Sequence, residues 1–308
     1  MKENLNQRLG LIQQIEQERG SRLLVYFLHD KAMIADDAVL HLYDKLEAMG
    51  WQPRLDLFLQ SRGGFTEITW KIISLLWEFG DHLGVLVPYR AHSGATLIAL
   101  AADEIVMGPI SELSSTDPAR GHYLLPKGPD GKPVNVSVQD LRRCVEFVKR
   151  EAGEGADFIS ALFQHIHPLA IGALEQSHEL VRLIARKALL THWDEAEKGE
   201  AIERIVDTLN GRLHSHIYPL SRREAKEGLG LPVVYPSPDL WQRMWRLYLA
   251  YQGVVYTEHP VEGKEGAVRR ILCLIETRER TTALRQTVAR EKGRERVLEM
   301  RWETMARA

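Results

Sequence analysis

The 308-residue sequence predicts an α/β fold with a parallel sheet and crossover helices, followed by a helical second half and a C-terminal helical appendage. Three observations predict it. Short apolar runs alternate with amphipathic stretches from Arg22 to Met107. Two of those runs lead into glycine turns, Gln60-Ser61-Arg62-Gly63-Gly64 and Ser93-Gly94-Ala95-Thr96. From Val138 onward the short runs give way to helical periodicity. Strands alternating with helical patterns build parallel sheets, whose sites lie at the carboxyl ends of the strands.

In chain order, Asn4 to Arg19 repeats Leu5, Leu9, Ile12 and Ile15 at helical spacing, and Arg22 to Leu28 is a strongly apolar first strand. Asp36 to Met49 is an amphipathic helix closed by Gly50. Leu55 to Leu59 is a strand, and Thr66 caps a helix with Ile68, Ile72, Leu75, Leu76 and Phe79 on its apolar face and Gly80 as its stop. Gly84 to Pro88 is a strand, Leu97 to Ala102 a compact helix, and Glu104 to Met107 a third strand of the unit. Residues 119–136 are rich in Pro and Gly, with a turn at Pro129-Asp130-Gly131, and read either as a border to a substrate groove or as a surface loop. Helices follow at Val138 to Lys149, Asp157 to His165, Ala170 to Leu190 and Asp194 to Asn210, the last closed by Gly211. Ser221 and Glu224 form a capping box. Val233 to Pro238 reads as a linker, which divides the chain into residues 1–232 and 233–308. Beyond it come an aromatic helix with Trp241, Trp245, Tyr248 and Tyr251, an apolar strand or helix at Ala267 to Glu276, and a solvated Arg/Glu-rich helix over residues 281–308.

Composition excludes several classes. Lys and Arg number 40 against 42 Asp and Glu, so no basic excess points to nucleic acid. Only Cys144 and Cys273 occur, at no metal spacing, which suits a reducing compartment. No apolar run has the length of a membrane span, and the polar start MKENLNQRLG lacks a signal peptide's apolar core. The expectation is a cytoplasmic protein without cofactor, membrane or nucleic-acid partner. His165-x-His167 and His214-x-His216 invite a metal reading, but a spacing of two does not align both rings on a helix, and no set of further ligands accompanies them.

The chemistry concentrates at the two glycine turns. Gly63 and Gly64 let backbone N–H groups approach a ligand with no Cβ in the way. Ser93 stands at a helix start, either as an N-cap or as a nucleophile favoured by the helix dipole. In the second reading Ser93 attacks a carbonyl while the backbone of Gly63, Gly64 and Gly94 holds the developing oxyanion.

The segments SRGG and AHSGATLIALAADEIVMG also carry a resemblance to the Clp-protease and crotonase superfold. The sequence most resembles the serine dehydrogenase proteinase family of Clp-fold serine proteinases. Ser93 to Met107 matches that family's motif except for Ala95 in place of Gly, and IQQIEQERGSRLLVYF and GRLHSHIYPLSRREAKEGLGLPV match more weakly. Arg62 for Pro and His92 for Met are further departures. The resemblance implies a repeated ββα sheet, a peptide or protein substrate and a homo-oligomer. Helices between Val138 and Asn210 would form the oligomer surface through an apolar face running from Leu174 to Leu189.

A serine nucleophile needs a base. Laid on the Clp subunit, the histidine position falls at Thr116. The resemblance to the serine dehydrogenase proteinases implies the order Ser, Asp, His instead, which maps onto Ser93, Asp117 and His216. His216 lies in His-Ile-Tyr-Pro-Leu, without the carboxylate that follows the family's histidine. A Ser-Lys dyad is the rival, with Lys149 or Lys132 as base, but lysine needs a dry pocket to lower its pKa and both lie in polar stretches. A serine peptidase leads this reading. An inactive Clp-fold scaffold and a crotonase-type acyl-CoA enzyme are the alternatives, and Ser93 argues against the last.

Overall fold

The computed structural model describes residues 2–118, 123–129, 131–152, 156–291 and 294–305. Its elements are α1 (Lys2–Arg19), β1 (Arg22–Leu28), α2 (Val39–Met49), β2 (Leu55–Gln60), α3 (Thr66–Glu78), β3 (Leu83–Val87), β4 (Arg90–Ala91), α4 (Gly94–Leu100), β5 (Glu104–Met107) and β6 (Glu112–Leu113). The chain continues through α5 (Val138–Ala152), α6 (Ala156–His165), α7 (Pro168–Leu189), α8 (Glu195–Asp207), β7 (Leu220–Ser221), β8 (Val233–Val234), α9 (Pro238–Val255), β9 (His259–Pro260), β10 (Ala267–Glu276), β11 (Thr281–Glu291) and β12 (Arg294–Met305).

The architecture is mixed α/β, built on one large sheet. Among the described residues its order is β12-β11-β10-β1-β2-β3-β5-β8, with β9 added on β10. β1, β2, β3, β5 and β8 run parallel, whereas β10 pairs antiparallel with β1 and continues into antiparallel β11 and β12. The parallel strands β1, β2 and β3 are buried from end to end apart from Arg22, as mostly apolar runs flanked by crossover helices should be, with Asp56 and Gln60 of β2 as buried polar exceptions. One face of the sheet packs on α2, α3, α4 and α7, and the other on α1 and α9. The aromatic stripe of α9 belongs to this second core, where Tyr251 is fully buried against Phe27 and Phe58.

Several expectations are corrected. Thr66 is the first residue of α3 rather than its cap, and Phe65 precedes it in extended conformation. The helix expected to end at Asn210 widens into a π-helix at Thr208–Arg212, and the Ser221/Glu224 cap leads into another π-helix at Glu224–Gly228. Val233 and Val234 are a sheet strand rather than a linker. The C-terminal helical appendage is the largest correction. Residues 281–291 and 294–305 form an antiparallel pair. The charges that resemble i,i+4 helix pairs are cross-strand partners there, such as Arg290 opposite Glu295. The apolar side expected to join protomers is also spent within the chain: Leu174, Val181, Ile184 and Leu189 of α7 are buried, while Leu169 and Leu183 remain exposed.

Candidate active site

Both glycine turns emerge at the carboxyl ends of adjacent parallel strands, which brings them into contact. β2 ends at Gln60, and Ser61 then bridges to Ala91. Gly63 takes φ 101°, and a Cβ there would lie 2.7 Å from Ser93 Cβ and 2.9 Å from Gly94 N. Gly64 faces the Ile34 backbone so closely that a Cβ would lie 2.2 Å from its carbonyl oxygen. Only glycine fits at either position. A Cβ on Gly94 would stand 3.3 Å from Gly64 N, so the two glycine amides are neighbours.

Ser93 itself is strained. It holds φ 51° and ψ −117° between β4 and α4, and its side chain caps nothing. An L-residue in such a conformation costs on the order of 1–3 kcal/mol, and positions of this kind gather at functional sites. The surroundings fix the turn: Ser93 N–H donates to Ser114 Oγ at 2.8 Å, and Ser114 Oγ donates to the Ser115 carbonyl at 2.9 Å. Gly63 N–H donates to Ser61 Oγ at 2.9 Å, which removes it from the set of free donors. The N–H groups of Gly64 and Gly94 have no acceptor among the described residues, so this pair is the oxyanion-binding candidate.

These groups open on a cleft of about 550 Å³ lined by Gly63, Gly64, Ser93, Gly94, Thr116, Pro118, Ser177, Leu180 and His216, with Asp30, Arg62 and Glu67 among its polar residues. Burial works to raise the pKa of the Asp30 carboxyl, but hydrogen bonds from Arg62 and Tyr256 outweigh it and hold it below its ordinary value. His92, beside Ser93, is held below its usual pKa by burial, against the pull of Glu112 at 3.1 Å.

His216 and Asp117 come together, though not in the arrangement their residue types suggest. His216 Nδ1 lies 2.5 Å from the backbone oxygen of Asp117. A carbonyl oxygen only accepts, so Nδ1 carries the proton and Nε2 is left as the basic nitrogen. The Asp117 carboxylate turns away toward His178 of α7, with 3.8 Å between Oδ1 and Nδ1. Lys149 is exposed on α5 and does not line the cleft, and Lys132 is exposed as well. Residues 119–122 and 130 of the Pro/Gly-rich connection lie outside the described residues. Among the described residues no cluster of three or more His, Cys, Asp or Glu is arranged to hold a metal ion, and no helix is long and apolar enough to cross a membrane.

Sequence reasoning missed Ser61, Ser114 and His178. Ser114 has a visible signal, since it sits in Leu113-Ser114-Ser115-Thr116 just past a buried strand, where small hydroxyls serve the strand ends. His178 has a fainter one, a single imidazole on the apolar stripe of Leu174, Val181 and Ile184.

Residues 1–128 match the family of ClpP-like SDH-type serine proteinases. Two proteins of Methanocaldococcus jannaschii are each 29% identical to this chain: the uncharacterized protein MJ0137 over 69% of this chain and 66% of its own length, and the uncharacterized protein MJ1495 over 86% of both. The first alignment thus falls just short of two thirds of that relative. Among solved structures, the 1510-N membrane-bound stomatin-specific protease in complex with a substrate peptide has 13% identity and a TM-score of 0.42, covering 79% of this chain and 84% of its own. ClpP1 from Listeria monocytogenes also has 13% identity, with a TM-score of 0.39 over 74% of this chain and 99% of its own.

Proposed function

We propose, from the match of residues 1–128 to the ClpP-like SDH-type serine proteinase family, that this chain hydrolyses peptide bonds with Ser93 as the nucleophile. The observation that carries the reading is the strained Ser93 turn beside the unengaged N–H groups of Gly64 and Gly94. Ser93 Oγ attacks the scissile carbonyl, and its proton passes to Nε2 of His216. The carbonyl oxygen gains charge in that step and is met by the two amides. The acyl-enzyme then forms as the protonated imidazole returns its proton to the leaving amine, and water reverses the sequence to free the acid.

The Asp117 peptide holds the His216 ring through its backbone oxygen, and this supports His216 over Lys149 as base. His216 lies beyond the family match, so its assignment rests on the geometry of the cleft. A homo-oligomer accompanies this reading, supported by the exposed Phe147, Phe163, Leu169 and Leu183 of the helical half. A fluorophosphonate probe tests the function. It is expected to label the wild-type protein and to leave folded Ser93→Ala unlabelled. Absence of labelling in the wild-type protein would return the chain to the scaffold reading.

A further inference from the structure

Asp117 and His178 form a pair that the chemistry above does not use. His178 is 2% exposed, on the inner side of α7. Its Nδ1 and Asp117 Oδ1 are both buried and lack a hydrogen-bond partner, yet they face each other at 3.8 Å. That separation is ion-pair range but too long for a hydrogen bond. Leaving a buried polar group unpaired costs about 1–3 kcal/mol, so two such atoms facing each other are poised to close. Closure needs less than 1 Å of movement, since N–H···O contacts settle near about 2.9 Å.

The pair also occupies a telling place. The same Asp117 gives its backbone oxygen to His216 Nδ1. Ser177 and Leu180, which flank His178 on α7, line the cleft together with Ser93 and His216. One residue of α7 thus reaches the carboxylate of Asp117, while its neighbours form the wall that a substrate meets.

We propose that His178 is a positioning residue for the proposed hydrolysis: its Nδ1–H closes on the Asp117 carboxylate and fixes the Asp117 peptide that orients His216. His178 touches neither substrate nor Ser93 in this role. It acts through Asp117, and it couples the seating of α7 to the tautomer of His216. A carboxylate accepts only, so the closed contact requires the proton on His178 Nδ1. This inference rests on the peptidase reading for its functional meaning, but its geometric content can be tested separately.

The experiment compares His178→Ala, His178→Asn and wild type, all verified as folded by thermal unfolding. Asparagine places an amide donor close to where Nδ1 stood. Expected results are a fluorophosphonate acylation rate at least tenfold lower in His178→Ala and within about threefold of wild type in His178→Asn, each per folded molecule. A merely structural His178 would lower the melting temperature and leave that rate alone, which would overturn the proposal. Nitrogen-15 shifts of the histidine rings supply a readout that needs no catalysis. His216 should show the Nδ1-protonated tautomer in wild type and His178→Asn, and tautomeric averaging in His178→Ala. An unchanged His216 tautomer in His178→Ala overturns the inference whether or not Ser93 is reactive. Failure of the wild-type protein to label, with the tautomer responding as expected, would sink the peptidase reading alone.

Discussion

Ser93 departs from ordinary backbone geometry where the chain must turn from β4 into α4, and Gly63 makes the departure tolerable. Gly63→Ala adds a methyl group 2.7 Å from Ser93 Cβ at a φ of 101°, so either the Ser93 turn or the Gly63 turn must move. Fluorophosphonate labelling of this variant is expected to fall by two orders of magnitude or more, since about 1 Å of misplacement costs roughly a hundredfold. A Gly63→Ala protein that labels at the wild-type rate would show that the contact is not needed. His216→Ala is expected to lower the acylation rate by roughly 10²–10⁴, the usual contribution of a general base. Lys149→Ala should leave it unchanged, because that side chain is in solvent away from the cleft. The reverse ranking would make lysine the base. At this scale the sequence offers residue types as candidates, Ser93, the glycines, Asp117 and His216 among them, but their spacing is silent about direction and cannot say whether Asp117 turns its carbonyl or its carboxylate toward His216.

Elements were legible where a single period governed them. The parallel strands from Arg22 to Met107 and helices α2, α3, α7 and α9 lie within a few residues of their expected bounds. β11 and β12 were not, since Arg and Glu are good helix formers and tertiary pairing overrode that preference. The Arg/Glu content suits the place it occupies: β12 is the edge of the sheet, and charged side chains blunt a free edge against further pairing. The junction between α7 and α8 carries a prediction of its own. Thr191 Oγ1 shares its proton between the carbonyls of Ala188 at 2.7 Å and Ala101 at 3.1 Å, which sets the helical half against the end of α4. Burial lowers the neighbouring His192 to a pKa of about 4, against the attraction of Asp103. The unfolded chain takes up this proton near pH 6.5, and the folded chain holds it off until about pH 4. Between those values the unfolded state binds more protons, so stability falls as the pH is lowered through that window. The loss assigned to this residue is on the order of 3 kcal/mol. His192→Gln should flatten the decline in melting temperature between pH 6.5 and 4 relative to wild type, and parallel curves would exclude the assignment.

Across the whole molecule, buried charge holds distant parts of the chain together. Arg19 at the end of α1 bonds the fully buried Asp56 at 2.5 and 2.9 Å and Glu104 at 2.5 Å, and so joins the helix to β2 and β5. Ser21 Oγ donates to the same Asp56 carboxylate at 2.6 Å. Asp56→Ala leaves Arg19 and Ser21 short of this acceptor and is expected to destabilise the fold by about 3–5 kcal/mol, as removing one partner of a buried pair does. A shift of the urea midpoint smaller than that of an ordinary surface substitution would refute this. On the opposite side of β1, Arg8 bonds Glu276 at 2.9 and 3.1 Å, and Tyr251 and Thr281 donate to the same carboxylate. No sequence pattern announces that Arg8 and Glu276 meet, because such pairing depends on which strand lies beside β1.

That strand is β10, and its position bears on the order in which the protein is made. β1 emerges from the ribosome long before β10, with every side chain from Leu23 to Leu28 destined for the interior. Its neighbour β2 follows within a few tens of residues, but its other flank is filled only by residues 273–276. At roughly 5–20 residues per second, the nascent chain carries that open apolar border for ten seconds or more. Translation that stalls before residue 276 therefore releases a chain whose central strand is still a vacant seam, a substrate for chaperones and for aggregation alike.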